Sequence, residues 1–361
     1  MASKYKLLAD TLRCNIKQNM APGDMLPPQR ELMQLHSVSL ATVERALRIL
    51  SDEKLISRYV GRGTFVNDQN KKEDEAGRII LFSEFPGISV ASNWVQGRVY
   101  EGIQSALEAA NLSLMISNYD NADSILDSKD FKGLIFMMPH ENLKKTIKKF
   151  QTVHMPSVLI STSWPDVDIP SIDSDNEYGI RCALRYLAER GHAKVGYIDQ
   201  AANTCHAIRR RSAFKTMAAE FGIQINNNWY FTVKSDYPAE NDLTQLDDIF
   251  RLEDRPTALL FSSLSLATIK IVTELKNMGL SLPEDVSIIG FDDSPWARSM
   301  EPALTVIEQP LIEMGRRAAK KLVEQINGEI CIKREVLPVE IIERDSVGIA
   351  KNYNSGKAPS K

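Results

Sequence analysis

Apolar residues in the first 66 positions recur at the spacing of helices that are buried on one side. The first such stretch has three apolar residues four positions apart: Leu8, Leu12 and Ile16. A later stretch repeats the pattern with another apolar set: Val43, Ala46, Leu47 and Leu50. This spacing predicts one helix that ends before Pro22, a second over about Gln29–His36 and a third over Leu40–Asp52. Ser39 directly precedes the third helix, where its hydroxyl is expected to accept free backbone N–H groups as an N-cap.

A hairpin is predicted after the third helix. Residues 58–66 contain β-forming residues on both sides of Gly61, Arg62 and Gly63. The two glycines permit a tight tip that approaches a sugar-phosphate backbone closely. Residues 67–77 follow with no large apolar side chain, so we expect a solvated linker there. The N-terminal domain is therefore predicted to span residues 1–66.

Beyond the linker, short apolar runs alternate with amphipathic stretches. Continuous runs rich in Ile, Leu, Met and Val are typical of parallel strands covered on both faces. Four of them lie in a first half, at 78–83, 114–118, 133–137 and 157–160. Four more lie in a second half, at 194–198, 229–233, 258–261 and 286–291. The pattern predicts a two-lobed α/β domain over residues 78–345, followed by a C-terminal tail at 346–361.

One helix in this region has clear ends. Its apolar stripe predicts a helix over 175–190, and Gly191 suits a left-handed C-terminal cap. His192 comes next, and we interpret it as a turn residue near the negative end of the helix; a catalytic base is the less favoured alternative.

Charge is divided unevenly between the two parts of the chain. Residues 1–66 hold ten lysines and arginines against six acidic residues, although the whole chain has a net charge of -3. A basic N-terminal part on an acidic body is expected when only that part meets a polyanion. No apolar run is long enough to cross a bilayer and no signal-peptide pattern is present, so we expect a cytoplasmic protein with no membrane partner.

Enzyme and metal-site patterns are missing from the sequence. There is no Gly-rich phosphate loop, nucleophile elbow or His-Glu-x-x-His sequence, and the four cysteines lack metal-ligand or disulfide-framework spacing. We therefore predict no catalytic residues, no metal and no cofactor. An aminotransferase-like enzyme would be longer and would carry a cofactor lysine motif, which this sequence lacks.

The second and third helices have the order of a helix-turn-helix, which fits the major groove. The third helix turns four polar or basic residues outward: Thr42, Glu44, Arg45 and Arg48. The alternative is a small helical cap with a solvated charged face. Residues 4–66 resemble the winged helix of GntR-family transcription regulators in four segments: Gly23-Asp24-Met25-Leu26-Pro27, Arg30-Glu31-Leu32, Val38-Ser39-Leu40-Ala41-Thr42-Val43 and Gly61-Arg62-Gly63-Thr64-Phe65-Val66. The resemblance implies DNA contacts by a set of matching positions: Arg30, Ser39, Thr42, Arg62 and Gly63.

Three features depart from that family, which usually has arginine where this chain has Leu40 and again where it has Glu44, and Ser-Glu where this chain has Pro28-Gln29. Arg45 and Arg48 are then expected to supply phosphate contacts. Glu44 either accepts a hydrogen bond from a cytosine amino group or orients Arg48 one helical turn away. We favour orientation, because an unpaired carboxylate in a polyanionic groove is electrostatically unfavourable.

The body resembles the effector domain of LacI/GalR-type regulators, which share the fold of periplasmic sugar-binding proteins. The matching segments are Asp175-Asn176 with Arg190-Gly191-His192, Pro283 to Asp293, and Leu304-Thr305 with Gln309-Pro310 and Met314-Gly315. The implied fold class is α/β, with an N-terminal winged helix-turn-helix followed by a two-lobed periplasmic-binding-protein-like (type I) effector domain. This combination is similar to arabinose-type repressors.

The resemblance also implies an effector site in the cleft between the lobes. Arg210, Asp292 and Gln309 match effector-binding positions, Tyr237 lies near a position for a stacking aromatic residue, and Trp94 begins the cleft helix of the first lobe. The alternatives are a solvated run for the arginines at 209–211, a capping role for Asp292, and packing roles for the two aromatic residues. Arg210 and Asp292 are expected to converge at the mouth of the cleft, joined by a polar ligand or paired directly.

Two polar positions of those relatives differ here. Ser263-Leu264 replaces a common Asn-Asp, and Ser161 lies where aspartate is frequent. A sugar is the leading ligand class. The sequence thus predicts an effector-controlled transcription regulator, with a repressor favoured, that binds double-stranded operator DNA as a homodimer. The alternative is a small-molecule-binding transport or sensory protein without DNA regulation.

Overall fold

The computed structural model describes most of the chain. The described residues are 4–21, 23–53, 55–59, 63–66, 77–83, 93–128, 130–200, 204–233, 243–251 and 253–351. The chain divides into two compact units, residues 1–76 and residues 77–361. We call them the head and the body.

The head is a winged helix-turn-helix. Helices α1 (Lys4–Asn19), α2 (Gln29–His36) and α3 (Leu40–Asp52) precede strands β1 (Ile56–Tyr59) and β2 (Gly63–Val66). The two strands pair antiparallel to form the wing. The apolar stripes predicted from the sequence are buried together, because Leu8, Leu12 and Ile16 pack in one cluster with the apolar residues of α3. The predicted fold of the head is therefore confirmed.

The expected cap at the start of α3 is wrong in its details. Ser39 has the extended backbone of an N-cap residue, but its side chain caps no N–H group. Its hydroxyl lies 2.9 Å from the hydroxyl of Thr42. The backbone N–H groups of Thr42 and Val43 instead donate to the carbonyl oxygen of Ser39, at 3.0 and 3.1 Å. The hydroxyl of Ser39 is thus bonded to the hydroxyl of Thr42 and not to a backbone N–H group.

The first lobe of the body is a parallel sheet with the strand order β13-β7-β6-β5-β3-β4. Its strands are β3 (Arg78–Phe82), β4 (Ser113–Ser117), β5 (Phe131–Met137), β6 (Ser157–Ile160), β7 (Ser171–Ser174) and β13 (Arg334–Leu337). Its helices are α4 (Trp94–Ala109), α5 (Ala122–Asp127), α6 (Lys144–Thr152) and α12 (Leu311–Ile326).

The second lobe has the strand order β14-β12-β11-β10-β8-β9, with only the edge strand β14 antiparallel to its neighbour. Its strands are β8 (Val195–Gln200), β9 (Tyr230–Val233), β10 (Ala258–Phe261), β11 (Ser287–Phe291), β12 (Thr305–Glu308) and β14 (Glu340–Ile342). Its helices are α7 (Asn176–Glu189), α8 (Cys205–Met217), α9 (Thr244–Arg251), α10 (Leu266–Asn277) and α11 (Pro295–Ser299). All eight predicted strands are present, with ends that differ by at most two residues.

The chain crosses between the lobes three times. It leaves the first lobe after β7 and enters the second with α7, whose apolar face packs on the second sheet. It returns after β12, because α12 packs on the first sheet, and it crosses again between β13 and β14. Asp175, Gln309 and Pro338 mark these three crossings. The lobes are therefore joined by a hinge of three chain segments.

Helices α4 and α12 pack unusually closely on the first lobe. A Cβ atom added at Gly315 would lie 2.0 Å from the backbone oxygen of Val99, and one added at Gly102 would lie 2.0 Å from that of Ile312. These oxygens belong to helical backbone, which cannot move aside without displacing a helix. Glycine is thus required at both positions by the approach of two backbones.

We expect Gly315→Ala to lower the free energy of unfolding of the body by about 1–3 kcal/mol, because the added methyl group separates α4 from α12. All four tryptophans of the chain lie in the body, so tryptophan fluorescence during urea unfolding reports on this unit. Lys320→Ala on the same helix, with a side chain 73% exposed, is the control and should change stability by less than about 0.5 kcal/mol. Equal midpoints for the two variants would contradict the close packing.

The end of helix α7 is built as the sequence predicted. Asp175 caps its N-terminus by accepting from the N–H of Tyr178, and Gly191 follows with φ +81°. His192 is buried and bridges two distant segments, with Nδ1 at 2.9 Å from the Thr257 hydroxyl and Nε2 at 3.1 Å from the Gly348 carbonyl oxygen. These contacts give it a structural role.

The body continues beyond the expected limit at residue 345. Ser346 is fully buried and donates from its hydroxyl to the Ile288 carbonyl oxygen at 2.6 Å. The N–H of Ala350 donates to the carbonyl oxygen of Arg190 at 2.9 Å. Residues 346–350 are thus part of the packed body. Among the described residues, no helix has both the length and the apolar composition needed to span a membrane.

Candidate functional site

Helix α3 turns its polar residues away from the core of the head. Glu44, Arg45 and Arg48 are exposed and Thr42 is half-buried, whereas the apolar stripe of the same helix is at most 1% exposed. Arg30 on α2 is exposed as well. These residues form the candidate DNA-binding face.

The expected orientation of Arg48 by Glu44 stays a prediction. Within the described part of the head these two side chains form no ion pair, and both are exposed. A surface pair of this kind contributes little, so nothing fixes the two side chains together in the absence of DNA. Arg45 is held from another direction, with its Cζ 5.9 Å from the centre of the Tyr5 ring.

The wing is described in part. Gly63 begins β2 with φ +115°, a conformation that strongly favours glycine, and it is exposed. A Cβ atom there would also lie 2.9 Å from the Met25 sulfur. Arg62, the other predicted wing contact, lies outside the described residues.

In the body, polar residues gather where parallel strands end. Ser174 ends β7, Ser262 and Ser263 follow β10, and Asp292 follows β11. The carboxyl ends of parallel strands form the crevice in which open α/β sheets bind ligands. We call this group of residues, together with their partners on α7 and α8, the cleft network.

Arg210 lies at the centre of the cleft network. It is 2% exposed, and its Nε donates to Asn176 Oδ1 at 2.6 Å while one terminal nitrogen donates to the Ser262 carbonyl oxygen at 2.7 Å. Its Cζ lies 3.6 Å from the centre of the Phe291 ring, a cation–π contact. Burial lowers the pKa of this guanidinium, and the charge of Asp292 opposes that shift. The interpretation of Arg210 as part of a solvated run is therefore wrong.

Asp292 is held on the other side of the network. It accepts from the Ser263 hydroxyl at 2.8 Å and from Gln309 Nε2 at 2.5 Å. It has no direct ion pair with Arg210, so within the described body the expected direct pairing does not occur. Its φ of +84° is rare for a residue with a side chain. Such backbone strain costs about 1–3 kcal/mol and is found preferentially at functional sites.

Gln309 connects the network to the hinge. Its Oε1 accepts from the Ser174 hydroxyl at 2.5 Å while its Nε2 donates to Asp292. Ser174 and Gln309 lie at two of the three crossings between the lobes. Asp292 is therefore one hydrogen bond from the hinge segment at Gln309 and two from the segment that follows Ser174.

Sequence reasoning missed an ion pair between the lobes. Arg209, on α8 of the second lobe, pairs with the buried Asp173 in β7 of the first lobe and donates to the Ser163 hydroxyl at 2.6 Å. Asp173 also accepts from Asn176 Nδ2 at 3.1 Å, and Asn176 accepts in turn from Arg210. The only sequence signal for Asp173 is a carboxylate near the end of a buried strand.

The three adjacent arginines of α8 serve three different carboxylates or amides, since successive residues point about 100° apart around a helix. Arg209 reaches Asp173, Arg210 reaches Asn176, and Arg211 pairs with the buried Asp199 of β8. Arg211 therefore acts within the second lobe, away from the bonds that connect the cleft network.

His206 lies one turn before Arg210 and was also missed. Its Nε2 is 3.1 Å from the Thr204 hydroxyl, and its buried Nδ1 has no hydrogen-bond partner among the described residues. Burial, together with the positive charges of Arg210 and Arg209 and the neighbouring His140, lowers the pKa of His206 to about 3. The imidazole is therefore neutral at pH 7 and offers a free ring nitrogen within the body.

This pKa shift predicts an acid sensitivity. A histidine with a lowered folded pKa contributes stability above its usual pKa of 6.5 that is lost as the pH falls toward 3. We expect the free energy of unfolding of the body to fall with a slope of up to about 1.4 kcal/mol per pH unit from this group. His206→Gln should flatten the slope measured by tryptophan fluorescence. The exposed His154→Gln control should keep it, and equal slopes for both variants would exclude His206 as the source.

The two predicted aromatic residues are not joined to the cleft network by these bonds. Trp94 is half-buried at the start of α4, where its ring faces Arg98, whose Cζ lies 5.3 Å from the ring centre. Tyr237 lies outside the described residues. The structure therefore joins Arg210, Asp292 and Gln309 into one network and leaves the roles of Trp94 and Tyr237 as predictions.

Charges within the cleft network balance. Arg209 and Arg210 face two carboxylates, Asp173 and Asp292, and three of these four side chains are nearly inaccessible to solvent. Serine, asparagine and glutamine groups supply the remaining donors and acceptors. This arrangement suits a ligand with several neutral polar groups, because paired charges and amides hydrogen-bond hydroxyl groups in forked geometry.

Comparison with known proteins finds a match within each of the two units. Residues 4–66 match the model of bacterial regulatory proteins of the gntR family, and residues 184–347 match that of the periplasmic binding protein-like domain. An arabinose metabolism transcriptional repressor from Geobacillus stearothermophilus is 25% identical over 90% of this chain and 91% of its own length. The transcriptional regulator KdgR of Bacillus subtilis is 24% identical over 88% and 97%, respectively.

Solved structures show the same fold. A LacI-type transcriptional regulator from Bacillus cereus matches with a TM-score of 0.68 at 21% identity, over 75% of this chain and 98% of its own. A complex of the transcriptional regulator CelR with cellobiose matches with a TM-score of 0.65 at 19% identity, over 96% of this chain and all of its own. The chain is therefore a DNA-binding transcription regulator and not an enzyme, built from a gntR-family helix-turn-helix domain and a periplasmic-binding-protein-like domain.

Proposed function

We propose that this regulator is a repressor controlled by a small, uncharged, polyhydroxylated effector, a sugar or sugar derivative, that binds between the lobes of the body. The observation that carries the proposal is the cleft network, in which Arg209 and Asp173 join the lobes and Arg210 and Asp292 supply paired polar groups. Burial of charged groups costs solvation free energy. We attribute the presence of the network in spite of this cost to ligand binding.

The class of effector follows from charge balance. An anionic ligand such as a sugar phosphate needs an excess of cations, but each cation of the network already faces a carboxylate or an amide. A polyol needs no excess, because each hydroxyl both donates and accepts. Two similar proteins, an arabinose metabolism repressor and the CelR regulator in complex with cellobiose, support the saccharide class and the repressor role.

Control of DNA binding is proposed to run through the hinge. A ligand at Asp292 displaces or strengthens the bonds of Gln309, which in turn holds Ser174 at a second crossing. The angle between the lobes then differs between the free and bound states. In a homodimer this angle sets the spacing of two heads, and hence the fit to two half-sites of operator DNA.

The proposed DNA contacts are those of the candidate face and wing. Arg30, Arg45 and Arg48 would bind phosphates, Ser39 and Thr42 would face base edges, and Glu44 would orient Arg48. Arg62 and Gly63 would place the tip of the wing against the sugar-phosphate backbone. Phosphate contacts position such a domain, and base contacts specify the sequence.

A thermal-shift screen tests the effector class. Neutral pentoses, hexoses and disaccharides are compared with the corresponding sugar phosphates and uronates, each with and without duplex DNA. We expect a neutral sugar to raise the melting temperature and to change the DNA affinity of the full chain. Stabilisation by sugar phosphates alone would contradict the proposed ligand class, and a ligand that stabilises without changing DNA affinity would contradict the proposed control.

A further inference from the structure

Helix α3 begins with an exposed apolar patch. Leu40 is its first residue and is 45% exposed, and Ala41 beside it is exposed as well. Thr42 follows half-buried, and the first four residues of the helix, Leu-Ala-Thr-Val, carry no charge. The cations of α3 begin only at Arg45. The N-terminal end of α3, the second helix of the helix-turn-helix, therefore presents methyl groups and no charge.

Leu40 takes no part in the core of the head. The core of α3 is formed by Val43, Ala46, Leu47 and Leu50, each at most 1% exposed. Leu40 lies outside that cluster and leaves nearly half of its surface in water. Apolar surface of this kind gains free energy when a partner covers it. At the leading end of a recognition helix the available partner is the floor of the major groove.

The major groove offers one apolar group, the C5-methyl of thymine. An arginine at this position would have the bidentate geometry for guanine, but a leucine has no donor with which to read it. The nearby hydroxyls of Ser39 and Thr42 are 2.9 Å apart and share one hydrogen bond between them. Apolar contact is thus the readout that Leu40 itself can provide.

We propose that Leu40 is a specificity-determining residue that contacts the C5-methyl group of a thymine in each operator half-site. This inference rests on the proposed binding of operator DNA by the head. It states which chemical group the protein reads at the position where Leu40 replaces arginine, and it predicts a thymine where an arginine would select guanine.

The test first selects duplexes from a random library with the full chain, and then replaces single thymines of the selected duplex by deoxyuridine. Deoxyuridine pairs as thymine does but lacks the methyl group. We expect one thymine position in each half-site to be sensitive. A single deoxyuridine at that position should weaken binding about fourfold, the effect of one buried methyl group, as measured by fluorescence anisotropy. Leu40→Ala should bind the thymine and deoxyuridine duplexes equally, and Leu40→Arg should select guanine at the same position.

Leu7→Ala is the matched control, since Leu7 is 64% exposed on α1 and lies outside α3. It should keep the full sensitivity to deoxyuridine. The inference is overturned if no thymine is sensitive in the wild-type chain, or if the sensitive position stays equally sensitive in Leu40→Ala. Failure to select any duplex would instead overturn the proposed operator binding, and this inference with it.

Discussion

Asp292→Asn is expected to weaken effector binding by about 2–4 kcal/mol, which is a factor of about 30 to 1,000 in Kd. The substitution keeps the shape of the side chain and its capacity to bond Ser263 and Gln309, but it removes a buried negative charge. Arg210 then loses the carboxylate whose charge opposes its desolvation. A charge-assisted bond to a ligand hydroxyl becomes a neutral one.

Arg210→Lys is the companion variant. It keeps the positive charge but loses the planar fork that reaches Asn176 and the Ser262 carbonyl oxygen together. We expect a loss of effector affinity of similar size. DNA affinity without effector should change by less than twofold in both variants, because neither residue belongs to the head. The expected phenotype is a regulator that binds its operator and does not respond to its effector.

Calorimetric titration with the sugar found in the thermal-shift screen measures the effector affinity of each variant. Fluorescence anisotropy with a selected duplex measures its DNA affinity. Asp248→Asn is the control, because Asp248 is exposed on α9. It should leave both affinities unchanged. An unaltered effector affinity in Asp292→Asn, with tryptophan fluorescence confirming a folded body, would remove Asp292 from the ligand site.

The architecture was predictable where the apolar pattern within a single helix or strand determines its structure. Helix α3 follows a buried stripe with spacings of three and four residues, and it was predicted with the observed ends, as was α2. Continuous apolar runs such as Ser157–Ile160 identify strands buried on both faces. The strands β7, β13 and β14 are partly polar, and they acquire strand structure from neighbours far away in the sequence. Their periodicity carries too little signal on its own.

The candidate site was predictable only in part, for the same reason. Arg210 and Asp292 could be placed by resemblance, but their partners depend on contacts across the fold. Gln309 bonds Ser174 from 135 positions away, and Arg209 bonds Asp173 from 36 positions away across the lobes. Ser39 illustrates the reverse case, because two local partners were available to one hydroxyl and the side chain of Thr42 was the one used.

The double substitution Arg45→Ala/Arg48→Ala is expected to weaken binding to any duplex by about 10- to 100-fold at low salt. Both side chains are exposed on α3, and each is proposed to neutralise one phosphate and release its counterion. Removal of two such contacts per protomer should make the slope of log affinity against log salt less negative by about 1.8 per bound head. The loss should be nearly equal for a selected and a random duplex, because phosphate contacts carry no sequence information.

The control must change the net charge equally. Arg251→Ala/Lys320→Ala removes two cations from the body, where their side chains are 77% and 73% exposed. We expect this variant to keep the wild-type slope, because the slope follows the number of phosphates that the protein neutralises and these two cations are proposed to contact none. Equal slopes for the two double variants would mean that net charge, and not contact by α3, governs binding. A loss confined to the selected duplex would instead assign Arg45 or Arg48 to base readout.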